Sequence, residues 1–145
     1  MFAIAQVLFF ILAISILCPR CANPMPPSGG PRDSLPPKLV SVFPKDSSEN
    51  FNNKKVVFTF NEFLQVDNIH ENLIVSPVPK KEPKIDSKLK TITITISDTL
   101  EPNTTYTYNF GNAVKDINEG NALKNFTYVF STGTYIDSLE MTGRV

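Results

Sequence analysis

The sequence predicts an all-β sandwich that follows an apolar leader and a proline-rich tether. Short runs of alternating apolar and polar residues recur along the chain, and turn-forming residues separate them. No segment shows a convincing apolar period of 3.6 residues, which would indicate an amphipathic helix. After the leader and tether about 100 residues remain, which is enough for one small domain.

The leader extends from Phe2 to Cys18 and is almost wholly apolar. Its length lies between that of a signal-sequence core and that of a membrane span. We interpret residues 1–20 as a signal sequence, and retention as a membrane anchor is the alternative. Either interpretation places the rest of the chain outside the cytoplasm. Residues 21–37 are rich in proline and glycine, so we predict an extended, semi-rigid tether there.

The domain is predicted over residues 38–133. The clearest strand is 91–96, where three isoleucines alternate with three threonines, so the isoleucines face the core. Residues 61–72 are the one stretch where a short helical turn between sheets stays open. The runs predicted as strands are 39–43, 56–61, 73–75, 91–96, 106–110 and 126–130.

One motif lies at the predicted crossing between the sheets. Leu100, Pro102, Thr104 and Tyr106 fit the pattern L-x-P-x-T-x-Y. The pattern resembles the tyrosine corner of fibronectin-type sandwiches, in which the tyrosine packs its ring and its hydroxyl bonds to backbone upstream. A core tyrosine without that bond is the alternative. This motif indicates fold rather than chemistry.

Two further motifs carry a family resemblance. Residues 116–123 fit D-x-x-G-N-x-L, and residues 130–133 read Phe-Ser-Thr-Gly. Together with the opening at residues 36–44, they resemble bacterial Ig-like domains of the SbsA type. The resemblance covers residues 36–133 and implies an Ig-like or fibronectin-like β-sandwich.

The tether resembles the N-terminus of Bacteroidetes-type lipoproteins that carry this domain first. The matching residues are Cys21-Ala22-Asn23, Gly29-Gly30-Pro31, Asp33 and Pro36-Pro37. The resemblance implies diacylation of Cys21 and a lipid-anchored protein of the cell envelope, expected in the outer membrane. Arg20, directly before Cys21, departs from the small residues of a lipobox. Residues 134–145 begin like another strand, so we interpret the chain as the N-terminal part of a longer lipoprotein.

The triplets 33–35, 98–100 and 137–139 each consist of an aspartate, then a serine or threonine, then a leucine. They resemble an O-glycosylation motif of the same bacterial phylum, in which the middle residue carries the glycan. The middle residues here are Ser34, Thr99 and Ser138. The resemblance implies glycans at these positions. Chance occurrence of so short a motif is the alternative.

Composition argues against several function classes. The 14 acidic and 14 basic residues balance, so no electrostatic footprint for nucleic acid is visible. Cys18 and Cys21 have C-x-x-C spacing but no second ligand pair, and no metal is predicted. His70 is the one histidine, and we expect it on the surface without a catalytic partner.

One acidic loop has calcium binding as an alternative interpretation. Asp116, Asn118, Glu119 and Asn121 offer oxygen ligands, but the glycine and distal glutamate offsets of an EF-hand are wrong. We therefore predict an ordinary Asx-Gly turn. No cofactor and no enzyme activity are expected.

The sequence thus predicts a non-catalytic Ig-like module that serves as a spacer or interaction domain. The expected contact with the membrane is through the lipid anchor. A module that binds a glycan or an envelope protein is one alternative. An appendage of a larger envelope enzyme is the other.

Overall fold

The computed structural model describes residues 6 and 29–137. The chain divides into two units between Arg32 and Asp33, and the described strands all lie in the second unit. Residues 29–137 form nine strands and one short helix. In chain order these are β1 (Leu39–Phe43), β2 (Lys55–Phe60), β3 (Leu64–Val66), α1 (Ile69–Asn72), β4 (Ile74–Ser76), β5 (Lys84–Lys88), β6 (Thr91–Thr95), β7 (Thr105–Asn109), β8 (Val114–Asp116) and β9 (Thr127–Ser131).

The strands form two main antiparallel sheets and one small ladder. The first sheet has the order β1-β2-β6-β5, the second has β4-β7-β9, and β3 pairs with β8. Side chains that alternate along a strand face opposite sides of the sheet, so each sheet presents one apolar face to the other. The architecture confirms the predicted all-β sandwich.

The predicted alternation is seen in the burial of the side chains. Ile92, Ile94 and Ile96 are buried, whereas the threonines between them are half-buried. The same alternation holds in β2 and β7, since their inward residues are aromatic or β-branched. The buried apolar core comprises Phe51, Val56, Phe58, Phe60, Leu64, Ile92, Ile94, Ile96, Tyr106, Tyr108, Phe110, Val114, Tyr128 and Phe130.

Aromatic rings dominate the centre of this core. Phe58 meets the rings of Phe110, Phe126 and Tyr128 edge-on. Phe130 stacks on Phe51 with a centroid distance of 3.9 Å. Rings of both sheets therefore interlock across the sandwich.

The separations between these rings show how closely the two sheets pack. The Phe58 centroid lies 5.9 Å from that of Phe110 and 5.2 Å from those of Phe126 and Tyr128. Such edge-to-face pairs place the positive ring edge against the negative ring face. The core is therefore held by directed ring contacts as well as by burial.

The segment after β1 covers one edge of the second sheet. The chain turns at Asp46 and Ser47 and passes from this turn directly onto β9, where the Ser47 N–H donates to the Val129 carbonyl at 2.8 Å. Ser48 forms a parallel bridge with Phe130, and the Phe51 N–H donates to the Ser131 carbonyl at 2.9 Å. Residues 47–51 therefore satisfy the outer backbone groups of β9, which protects that edge from pairing with other chains.

The ambiguous stretch 61–72 contains both kinds of structure. Its first half forms β3, which pairs with β8, and its second half forms the single turn α1. Like β3, two further strands were not predicted: β5 is mostly polar, and β8 has only three residues. In the described part of the chain, no helix has the length and apolar content needed to cross a bilayer.

Candidate functional site

The two ends of the domain leave the sandwich at opposite poles. Leu39, the first residue of β1, pairs with Phe60, the last residue of β2. At the other end of β2, the preceding residue Lys54 accepts a hydrogen bond from Ile96, and nearby Phe51 bonds to the end of β9. The six residues of β2 span about 17 Å between these poles.

The N-terminal pole is defined by contacts of Asp33 and Lys38. The Asn121 side-chain amide donates to the Asp33 carbonyl at 3.2 Å, and the Lys38 N–H donates to Asn61 Oδ1 at 2.7 Å. Both contacts join residues distant in sequence. They fix the chain where it enters β1.

The C-terminal pole contains the predicted tyrosine corner. The Tyr106 hydroxyl accepts a hydrogen bond from the Glu101 N–H at 2.9 Å, and its ring is buried. Leu100 packs against the core, and the Thr104 hydroxyl donates to the Pro102 carbonyl at 3.0 Å. The four residues of the motif thus shape the crossing from β6 to β7.

Thr132 ties the end of β9 to this crossing. Its hydroxyl donates to the Glu101 carbonyl at 2.7 Å and accepts from the Thr104 N–H at 2.9 Å. A β-carbon at Gly133 would lie 3.0 Å from Asn103 Cα, which explains the glycine in the Phe-Ser-Thr-Gly ending. The chain therefore leaves the sandwich in a fixed direction.

Asp116 organises the loop between β8 and the following segment. Its side chain is 2% exposed, and its carboxylate accepts from the N–H groups of Glu119, Gly120 and Asn121 at 2.6–3.0 Å. Burial by itself raises the pKa of this carboxyl, but these hydrogen bonds outweigh it, so the pKa lies below its ordinary value.

This geometry supports the predicted turn over the calcium alternative. The Asp116 oxygens face backbone donors of the loop rather than a shared centre. Among the described residues, no three His, Cys, Asp or Glu side chains are grouped as a metal site. Asp116 thus has a structural role. It is the first residue of the D-x-x-G-N motif, but the motif alone did not predict that its carboxylate holds the loop.

Asp98 is a second structural carboxylate that sequence reasoning missed. It accepts from the Lys80 N–H at 2.6 Å and from the Thr99 N–H at 2.9 Å. Burial raises the pKa of the Asp98 carboxyl and these backbone bonds lower it, with a net lowering. The carboxylate connects the segment after β4 to the loop after β6.

The candidate modification sites fall partly within the described residues. Ser34 and Thr99 are exposed, and each follows an aspartate whose carboxylate accepts a nearby backbone N–H. An exposed hydroxyl is accessible to a modifying enzyme. Ser138 and the lipidation candidate Cys21 lie outside the described residues.

His70 lies on α1 and is highly exposed. Its Nδ1 is 3.5 Å from Glu82 Oε2, and the side chains are 83% and 81% exposed. The nearest acidic partner is therefore Glu82 rather than the adjacent Glu71. A contact between side chains so exposed contributes little to stability.

Taken together, two antiparallel sheets and a tyrosine-corner contact define an Ig-like β-sandwich. A family model described as a bacterial Ig-like domain matches residues 33–132, and the chain belongs to this family. The match confirms the resemblance that the hairpin and ending motifs predicted. Domains of this family are generally non-catalytic. No curated protein matches the chain.

Proposed function

We propose that the chain is a spacer module of a cell-envelope lipoprotein, anchored in the outer membrane through Cys21. The spacer role is supported by one observation: hydrogen bonds hold the two chain ends at opposite poles of the sandwich. Asp33 is held by Asn121 at one pole, and Thr132 is held by Thr104 at the other. A module with this geometry sets a distance between whatever precedes it and whatever follows it.

The polar groups at both poles support a non-catalytic role. At the C-terminal pole, the hydroxyls of Thr104, Tyr106 and Thr132 bond to backbone groups. At the N-terminal pole, the Asn121 amide and the Asp116 carboxylate do the same. Groups used in this way hold the loops in place and stabilise the sandwich rather than bind substrate.

The tether supplies the link between the anchor and the sandwich. Asp33 lies twelve positions after Cys21, and twelve residue steps of a proline-rich extended chain would span up to about 37 Å. Two fatty chains on one cysteine, with a third on its amino group, would anchor the protein stably. Exposed Ser34, at the end of the tether, would be accessible to a glycosylating enzyme.

Metabolic labelling with a radioactive fatty acid tests the anchor. We expect label in the wild-type chain and in Cys18→Ala, which is the matched control, and none in Cys21→Ala. Label that persists in Cys21→Ala would exclude this anchor. Saturable binding of a glycan or an envelope protein by the chain would instead favour the alternative of a binding module.

A further inference from the structure

Large apolar side chains are exposed at the N-terminal pole, where the chain enters the sandwich. They lie at the start of β1, in the loop after β2, in the turn between β5 and β6, and after β8. We call this set the apolar cap, and it consists of Leu39, Val40, Phe63, Leu89 and Ile117, which are 40–65% exposed. Exposed apolar surface of this kind often marks contact with another protein or with a membrane.

Backbone hydrogen bonds join the segments that carry the apolar cap. The Ile117 N–H donates to the Phe63 carbonyl at 3.1 Å, and the Leu64 N–H donates to the Leu89 carbonyl at 2.9 Å. The start of β1 pairs with the end of β2 at the same pole. The cap residues therefore lie on neighbouring segments of one surface.

Leu89 occupies a position that the backbone does not favour for leucine. It is the first residue of the two-residue turn between β5 and β6, and its φ is +55°. Such turns favour asparagine or glycine, and a bulky residue at positive φ is strained. The side chain is 65% exposed, so core packing does not offset this strain. Contact with an apolar phase outside the domain would explain a leucine here.

The charges around the apolar cap do not favour a polyanionic partner. Lysines and acidic residues occur in equal number on its segments: Lys38, Lys88, Lys90, Asp33, Glu62 and Glu119. The Lys90 ammonium lies 5.3 Å from the centre of the Phe63 ring, with its stem beside the apolar surface. Lysines placed in this way keep their charge in water while their stems extend over an apolar contact.

The tether ends at the same pole as the apolar cap. Asp33, whose carbonyl accepts from the Asn121 amide at 3.2 Å, lies twelve positions after Cys21. A tether of up to about 37 Å allows the cap to reach the bilayer that would hold the anchor. The opposite pole lies about 17 Å farther along β2. The tether therefore favours the membrane as the partner of the cap.

We propose that the apolar cap inserts into the interfacial region of the lipid bilayer in which Cys21 would be anchored. This proposal rests on the lipid anchor proposed above, which keeps the cap beside the membrane. Burial of the exposed apolar side chains would stabilise the contact. The domain would then stand on the bilayer with its C-terminal pole directed away from it, as a spacer requires.

Tryptophan fluorescence tests the contact, because the chain contains no tryptophan of its own. The full chain with Leu89→Trp is reconstituted into vesicles of phosphatidylethanolamine and phosphatidylglycerol, with or without bromine on the acyl chains, and the chains that float with the vesicles are measured. Phe63→Trp is a second reporter. Tyr135→Trp, at a residue that is 57% exposed and follows Thr132 of the C-terminal pole, is the matched control. We expect blue-shifted emission from both cap reporters and bromine quenching at least severalfold stronger than in the control.

A second substitution makes the test specific for the apolar cap. Ile117→Asp should reduce the quenching at position 89 severalfold. Val78→Asp, at a residue that is 87% exposed and lies outside the cap, should preserve it. Raised salt should leave the quenching unchanged, because the charges around the cap balance and screening then has little effect.

The outcomes separate this contact from the anchor. Quenching at positions 63 and 89 no stronger than at position 135, in chains that float, would overturn the contact and leave the anchor intact. Absence of fatty-acid label at Cys21 with the quenching retained would overturn the acyl anchor alone. A blue shift at position 89 without bromine quenching would mean that protein covers the cap, which would also overturn the proposal. A chain that does not float would contradict both.

Discussion

The hydroxyl of Tyr106 accepts a hydrogen bond from the backbone N–H of Glu101, five residues upstream, at 2.9 Å. This contact holds the chain as it crosses from β6 in one sheet to β7 in the other. The carbonyl of the same Glu101 accepts from the Thr132 hydroxyl. A single peptide segment therefore connects the tyrosine corner to the point where the chain leaves the sandwich.

Replacement of Tyr106 by phenylalanine tests the energetic weight of this contact. The ring stays in the core, but the Glu101 N–H loses its partner, so we expect a loss of about 1–2 kcal/mol in the free energy of unfolding. Urea denaturation measures it. Tyr135→Phe, at a residue that is 57% exposed, is the control and should leave the midpoint unchanged. Equal midpoints for the two variants would show that the contact makes no net contribution to the free energy of unfolding.

Phe130 is the residue whose truncation should be most damaging. Its ring is fully buried and contacts the rings of Phe51, Tyr106, Tyr108 and Tyr128. Phe130→Ala removes these contacts and leaves a cavity, so we expect destabilisation by about 3–5 kcal/mol in denaturant unfolding.

The control for this prediction is Phe43→Ala, because Phe43 is 72% exposed. Its truncation removes little buried area and should change the unfolding free energy by less than about 0.5 kcal/mol. A comparable loss in the two variants would mean that the ring cluster does not form the centre of the core.

Asp116→Asn should destabilise the domain, because the new amide group would point at backbone N–H donors of Glu119, Gly120 or Asn121. We expect a loss at least as large as that of Tyr106→Phe. Asp86→Asn, on the exposed edge strand β5, is the matched control and should be close to neutral.

The same variant should change the acid dependence of stability. The pKa of Asp116 is lower in the folded chain than in the unfolded one, so its ionised form contributes stability above pH of about 4. This contribution is lost as the pH falls through the folded-state pKa. Unfolding free energies measured from pH 6 downward should therefore fall less steeply in Asp116→Asn; an identical slope would contradict this account.

We expect the domain to lose stability in alkali because Tyr108 and Tyr128 are buried. Burial raises the pKa of Tyr108 to about 12 and that of Tyr128 to about 12. Because unfolded tyrosine ionises near a pH of about 10, the stability that they contribute is complete below that pH and is lost between about 10 and 12. In a titration toward high pH, the near-ultraviolet absorbance of tyrosinate should show a transition well above pH of about 10. Its amplitude should be smaller in Tyr108→Phe. Ionisation of all four tyrosines in one early step would contradict it.

The regular strands could be predicted because their sequences carry their own periodicity. The alternation of isoleucine and threonine in β6 reports directly which side chains are buried. The L-x-P-x-T-x-Y motif likewise predicted a contact between residues close in sequence. In both cases the determining interactions are local or depend on one apolar face.

Other features depend on partners distant in sequence, which a local pattern does not show. The strand β5 has the sequence Lys-Ile-Asp-Ser-Lys and exists because its backbone pairs with β6. Residues 47–51 run along β9 because the β9 edge offers free backbone groups, more than 75 residues away in sequence. Asp98 contacts Lys80 across 18 residues. Spacing alone could not have predicted these pairs.

As a spacer, the sandwich should hold its two chain ends at a fixed separation. Pulsed electron paramagnetic resonance tests it with spin labels on cysteines at Ser34→Cys and Thr134→Cys, in a chain with Cys18→Ser and Cys21→Ser. We predict a single narrow distance longer than about 20 Å, because the labels flank the full length of β2. The control pair Ser34→Cys with Asn118→Cys, at one pole, should give a shorter distance. A short or broad distribution between Ser34 and Thr134 would contradict the account.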